Sequence, residues 1–119
     1  MEPQEKRNRE ADNRTLPPAE PKRLDALVDY APEAVVSRTV IKRPVGTVTL
    51  FSFDAGQGLS EHTAPFDALV QILDGKAEIT IGGNRVPTEA GETVLMPAGI
   101  PHSLHAAERF KMLLVMIRG

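Results

Sequence analysis

Three histidines are the residues of this sequence with the most evident chemistry. They are His62, His102 and His105, and the chain has no cysteine. Imidazole nitrogens bind transition metals and transfer protons near neutral pH. Thiolate metal sites and cysteine nucleophiles are excluded by the composition. Any metal, acid–base or hydrogen-bonding site in this chain therefore depends first on its imidazoles.

The charge balance and hydropathy argue against several classes of partner. The 119 residues include 14 lysines and arginines against 16 aspartates and glutamates, a formal net charge of −2. Such a chain has no field that attracts a phosphate backbone, so we expect no nucleic-acid partner. No apolar run approaches the roughly 20 residues of a membrane helix, and the charged N-terminus MEPQEKRNRE is unlike a secretory signal. We therefore predict a cytoplasmic protein without a membrane partner.

Short β-strands must position the histidines. Runs rich in β-branched residues alternate with Gly, Pro and Asp turn residues every 8–12 positions. This pattern predicts seven or eight short strands in an all-β sandwich or barrel. The dipeptide Asp74-Gly75 predicts a tight hairpin, and Gly82-Gly83-Asn84 predicts another turn. The predicted strands are 35–42, 47–54, 66–73, 76–81, 93–97, 101–106 and 110–118.

The first 23 residues differ from the rest of the chain. They contain six basic residues, five acidic residues and four prolines, and few apolar ones. Such a segment cannot bury enough apolar surface to offset its ordering entropy. We therefore predict a flexible N-terminal tail over 1–23 and one barrel domain over 24–119, in which the apolar stretch 24–30 begins as a short helix or an extended piece.

The stretch around His62 resembles the first motif of the cupin superfamily. That motif has a glycine, five residues, His-x-His, three or four residues, a glutamate, six residues and a glycine. This sequence has Gly56, then His62-Thr63-Ala64, then Ala68 and Gly75 at the corresponding spacing.

The stretch around His102 resembles the second cupin motif. That motif has a glycine, five residues, Pro-x-Gly, two residues, a histidine, three residues and an asparagine. This sequence has Gly91, Pro97-Ala98-Gly99, His102 and Ala106 at those positions. The two spacings together imply a cupin-like double-stranded β-helix, or jelly-roll barrel. The resemblance is strongest with small single-domain bacterial cupins without an assigned activity, and it implies a homodimer.

Two positions depart from the cupin pattern. Cupins typically hold a metal with the two histidines and the glutamate of the first motif and the histidine of the second. Here Ala64 and Ala68 replace the second histidine and the glutamate, which leaves His62 and His102. First-row metals take three or four protein ligands in most sites. The resemblance still allows a divalent metal (Zn, Ni, Mn or Fe), with water or substrate completing the ligand set. His105 is predicted to face away, because it is three residues from His102 in one strand.

The same two alanines predict a cavity. Small side chains at both positions leave room for a small apolar ligand pocket beside His62 and His102. The predicted pocket residues are His62, His102, Ala64, Ala68, Val70, Ile72 and Met96, with Met112 or Met116 as further wall residues.

Three functions are compatible with this sequence. The first is a small-molecule-binding barrel with a degenerate metal site. The second is a dioxygenase-like or isomerase-like metal-dependent enzyme with a two-histidine ligand set. The third is a dimeric interaction module, which requires an interior filled with side chains. The sequence leaves open whether the protein is an enzyme.

Overall fold

A computed structural model describes residues 16–118 as an antiparallel β structure with one short 3₁₀ helix, Leu24–Ala26. The fold is thus the all-β jelly roll that the sequence predicts. Within the described part of the chain, no helix is long and apolar enough to cross a membrane. In chain order the strands are β1 Val35–Arg43, β2 Gly46–Phe53, β3 Gly58–His62, β4 Asp67–Ile81, β5 Asn84–Glu89, β6 Thr93–Met96, β7 His102–His105 and β8 Phe110–Ile117.

The 15-residue strand β4 belongs to both layers of the fold. Its first half pairs with β6 on one side and β8 on the other. Its second half pairs with β5 and β7. Strands β2 and β1 extend the first layer beyond β8, and β3 extends the second layer beyond β7. The sheet therefore curls along β4 and encloses an interior between its two halves.

The predicted hairpin at Asp74-Gly75 is wrong, because β4 continues through it. The register of β4 against β8 shifts between Ile72 and Asp74, which marks a β-bulge. Gly75 has a φ of +75°, and a side chain at this position would meet the carbonyl oxygen of Arg109. Glycine permits that left-handed conformation and close approach. The turn-forming pair therefore bends the strand from one layer into the other.

The core lies between the two layers and is largely aliphatic. Phe53 and Phe110 stack with their ring centroids 4.5 Å apart, and both are fully buried. Val70, Ile72 and Ile79 of β4 pack in the same cluster. Each such side chain contributes about 1.5–3 kcal/mol when it is fully buried, so this cluster fixes β4 between the sheets.

The segment before β1 lies against the outer side of the first layer. Val28 is buried with Val40 and Leu50, and Leu16 packs at the margin of that cluster. Residues 1–15, which make up most of the predicted tail, lie outside the described residues. The flexible tail and the boundary at residue 24 stay predictions.

Tyr30 fastens that segment to β4 and β8. Its hydroxyl donates a hydrogen bond of 2.6 Å to Asp74, and its ring lies 4.4 Å from the Arg109 guanidinium and 5.0 Å from Lys111 Nζ. Burial, the hydrogen bond to Asp74 and the negative charge of Asp74 raise the pKa of Tyr30 well above its ordinary value. The neutral phenol is therefore the form that stabilises this contact.

A row of apolar side chains crosses the outer face of the first layer. Leu69 pairs with Leu95 on one side and Val115 on the other, and Val115 pairs with Val48. Leu69 is 42% exposed and Leu95 is 54% exposed in the single chain. Apolar residues on such a face are typical of contact surfaces. The homodimer stays a prediction, and this row is the face on which we expect it.

Candidate functional site

The two motif histidines meet across neighbouring strands. His62 ends β3, His102 begins β7, and the two residues are direct partners in the antiparallel ladder. Their rings make an edge-to-face contact with centroids 4.4 Å apart and planes at 71°. His102 is 5% exposed, whereas His62 is exposed. The pair therefore joins the interior to the surface.

Backbone carbonyls fix the orientation of both imidazoles. His62 Nδ1 lies 2.8 Å from the carbonyl oxygen of Ser60, and His102 Nδ1 lies 3.1 Å from that of Ile100. A carbonyl oxygen only accepts hydrogen bonds, so the ring proton is assigned to each Nδ1, which donates a hydrogen bond to that oxygen. In the neutral rings each Nε2 then has a free lone pair.

The two Nε2 atoms lie 3.2 Å apart. Two lone pairs at that distance repel each other unless an electron-poor group lies between or in front of them. With the protons assigned to both Nδ1 atoms, the pair is an acceptor site for a hydrogen-bond donor or a cation.

An apolar cavity of about 90 Å³ lies beside the imidazole pair. Its walls come from β3, β4, β6, β7 and β8 and from the loop after β3. Among residues 16–118 no carboxylate lines it, so the imidazoles are the polar side chains of this part of its wall. The lining residues are Leu59, His62, Ala64, Ala68, Met96, His102, Leu104, Met112, Leu114 and Met116.

Comparison with known proteins identifies the family. A family model described as "Cupin domain" matches residues 49–118, a range that contains every residue of the cavity wall. The chain belongs to the cupin family. The match covers more than half of the chain and includes both histidines, so the resemblance of the two motifs is confirmed.

Three relatives support this assignment. An uncharacterized protein of Streptomyces coelicolor is 31% identical over 70 residues, which are 58% of this chain and 67% of that protein. A conserved protein of unknown function from Streptococcus pyogenes is 39% identical, with a TM-score of 0.85 over 94% of this chain and 98% of the other. A cupin superfamily protein from Desulfitobacterium hafniense is 28% identical, with a TM-score of 0.84 over 92% and 100%. The first two have no assigned function, so these likenesses establish family and fold.

In this cupin, most of the predicted pocket residues lie together. His62, His102, Ala64, Ala68 and Met96 all line the cavity.

Two predicted pocket residues do not line the cavity. Val70 and Ile72 share the inward face of β4 with Ala68, but they are fully buried in the core around Phe53 and Phe110. Ala68 belongs to the same buried cluster, so the cavity wall takes in this one position of the inward face and neither of the next two.

Other wall residues follow the two-residue period of a strand. Met112, Leu114 and Met116 alternate along β8 and all line the cavity. Leu104 shares a face with His102 for the same reason. Leu59 does not fit that rule with His62, because the register of β3 shifts between the two. Met112 and Met116 are the further wall residues that the sequence predicts; alternation could have added Leu104 and Leu114, but not Leu59.

Two polar residues near the site, His105 and Asp67, lie outside the cavity wall. His105 is exposed and pairs in the ladder with Glu78 and Gly58. Asp67 Oδ1 accepts a hydrogen bond of 2.9 Å from the backbone N–H of Ala98, so this carboxylate braces the loop before β7.

Proposed function

We propose that this cupin binds a small molecule that has an apolar body and one O–H or N–H donor. The observation that carries the proposal is the pair of Nε2 atoms, 3.2 Å apart, in the wall of an otherwise apolar cavity. The donor of the ligand would bind to one or both lone pairs. The apolar body would contact the alanine, leucine and methionine side chains.

The surroundings of the imidazoles make this recognition favourable. A buried acceptor without a partner costs about 1–3 kcal/mol, and His102 is almost completely buried. A ligand hydroxyl removes that cost, while its apolar part displaces water from the cavity. The cavity of about 90 Å³ has the liquid volume of about three water molecules. It therefore suits a compact ligand that extends past the exposed His62.

A resident divalent metal does not fit this donor set. Among residues 16–118 no group of three or more histidines, aspartates or glutamates is placed to hold a metal ion. Two imidazoles supply two positions of a coordination shell, and the alanines opposite supply none. Zn, Ni, Mn or Fe would need water or substrate for the remaining positions.

The two alternative functions have less support in the structure. A dioxygenase-like or isomerase-like reaction requires the divalent ion whose shell this wall leaves incomplete. A purely structural module requires a filled interior, whereas a cavity lies beside the histidines. We therefore base the proposal on binding and assign no reaction.

Phenol and toluene provide a matched pair of probes. They have the same shape and differ in one hydroxyl against one methyl group. An apolar pocket alone prefers toluene, because phenol loses the hydration of its hydroxyl. We expect phenol to bind this protein at least as tightly as toluene, as measured by NMR titration of the metal-free chain.

Variants assign that preference to the imidazoles. His102→Leu removes one acceptor and leaves an apolar wall, so the phenol-to-toluene affinity ratio should fall about three- to tenfold, the worth of one net hydrogen bond. His105→Ala is the matched control, because His105 lies outside the cavity, and the ratio should not change. A wild-type protein that prefers toluene, or a ratio unaffected by His102→Leu, contradicts the proposal.

A further inference from the structure

Sulfur is concentrated in the cavity wall. The sequence contains four methionines, and three of them, Met96, Met112 and Met116, line the cavity together with the two imidazoles. In the ladder Ala68 lies between Met96 on β6 and Met116 on β8. Direct partners have Cβ atoms about 4.5–5.5 Å apart, so methionine side chains begin on both sides of the Ala68 methyl group and line the same cavity.

The imidazole pair has the spacing of two ligands on one metal ion. A metal–nitrogen distance of about 2.05 Å and the observed separation of 3.2 Å between the Nε2 atoms give an N–metal–N angle of about 100°. A linear two-coordinate site would need about 4 Å. The pair therefore fits a bent arrangement that leaves further positions free for sulfur.

The charge of the wall determines which ions suit it. Imidazole and thioether are neutral ligands, and within the described part of the chain no carboxylate lines the cavity. The Born cost of burying an ion increases with the square of its charge, so a divalent ion costs about four times as much as a monovalent ion of equal size. Thioether ligands select soft ions such as Cu(I).

We propose that His62 and His102, with thioethers from Met96, Met112 and Met116, form a binding site for a soft monovalent metal ion, Cu(I) or its analogue Ag(I). This inference goes beyond the proposed function, because small-molecule binding by the metal-free chain does not require the ion. The phenol and toluene titration of metal-free protein can therefore fail or succeed independently of the metal experiment.

Silver(I) is the probe for this site, because it does not change oxidation state in air. We expect one Ag(I) per chain by native mass spectrometry, with shifts of histidine ring and methionine methyl signals in the NMR spectrum. Since the chain has no cysteine, thiolate binding cannot produce this result. Cu(I), titrated without oxygen against a chromophoric chelator, should bind with the same stoichiometry.

Sulfur removal tests the thioethers. Met112→Leu and Met116→Leu preserve size and hydrophobicity. We expect the double variant to bind Ag(I) at least tenfold more weakly, while its affinity for Zn(II) changes less than threefold because both imidazoles remain. The Ag(I)-to-Zn(II) ratio does not depend on the fraction of folded protein, so a loss of fold cannot imitate the result.

Two further variants complete the test. His62→Leu should abolish stoichiometric Ag(I) binding, and His105→Ala should leave it unchanged, because His105 lies outside the cavity wall. An absence of one-to-one Ag(I) binding in the wild type overturns the proposal. In a double methionine variant that thermal unfolding shows to be folded, equal loss of Ag(I) and Zn(II) affinity, or no loss, also overturns it.

Discussion

Replacing Ala68 with leucine should fill the cavity and weaken the phenol binding that we propose. Ala68 is 3% exposed, lines the cavity, and has Met96 and Met116 as its ladder partners. The substitution adds three carbon atoms to a space of about 90 Å³. We therefore expect higher stability together with weaker binding, an unusual combination for a buried position.

The magnitude follows from burial and packing. Three buried carbon atoms contribute about 2.4 kcal/mol at about 0.8 kcal/mol each. The leucine must also displace the two methionine side chains, which are flexible and adapt to new neighbours. If repacking costs about 1 kcal/mol, at the low end for added core volume, the net gain is about 1 kcal/mol. For a domain of this size that corresponds to a rise in Tm of about 4 °C.

Ala77 provides the matched control. It lies on the same strand, is fully buried and belongs to the core cluster, but it does not line the cavity. Ala77→Leu should therefore lower the unfolding free energy by about 1–3 kcal/mol through overpacking. Thermal and urea unfolding of both variants, with phenol titration of Ala68→Leu, measures the two effects. Phenol affinity should fall at least tenfold in Ala68→Leu.

Two results would refute this reasoning. If Ala68→Leu destabilises the protein as much as Ala77→Leu does, the cavity is not available to a side chain. If Ala68→Leu still binds phenol within twofold of the wild type, phenol binds somewhere else.

Other predictions concern the bulge, the N-terminal contact and the outer face. Gly75→Ala should lower the unfolding free energy, measured in urea, by at least about 2 kcal/mol, because its methyl group meets the backbone oxygen of Arg109 and its φ is positive. Gly83→Ala has open space around it and should cost only the roughly 1–2 kcal/mol of a left-handed backbone conformation. The raised pKa of Tyr30 means that folding favours its neutral form. Its stabilisation is complete below the ordinary tyrosine pKa of 10.0 and is lost at higher pH. Tyr30→Phe should make the unfolding free energy less dependent on pH above 10, and a profile as steep as the wild type would contradict this. Because Tyr30 is the only tyrosine, phenolate absorbance reports its ionisation directly. Light scattering should show a dimer for the wild type and a monomer for Leu69→Lys, and a dimeric variant would exclude that face.

The positions of the histidines were predictable because their motifs encode topology. The Gly and Pro-x-Gly spacings bring His62 and His102 onto neighbouring strands, although they are 40 residues apart in the chain. Two-residue alternation explains why Met96, Leu104 and Met112 face inward. Motif spacing thus predicts the two histidines, and the two-residue period of a strand predicts most of the side chains around them.

Other features depended on contacts between distant residues. Asp74-Gly75 has the composition of a hairpin turn, and only the approach of Arg109 and Phe110 shows why β4 bulges there instead. Ile72 shares the inward face and the buried cluster with Ala68 but lies outside the cavity wall, and strand alternation alone does not show where the cavity ends. Such packing between distant strands is not present in local sequence patterns.

The place at which the cavity can widen follows from the strand that both layers share. Because β4 is hydrogen-bonded to four other strands, the two layers cannot separate without breaking the most connected strand. In contrast, β3 is an edge strand of five residues that pairs with β7, and it ends at the exposed His62. Local opening of β3 is thus the least costly way to widen the cavity at the end where the exposed His62 already joins it to the surface. Hydrogen exchange should therefore be faster at the amides of β3 than at those of β4.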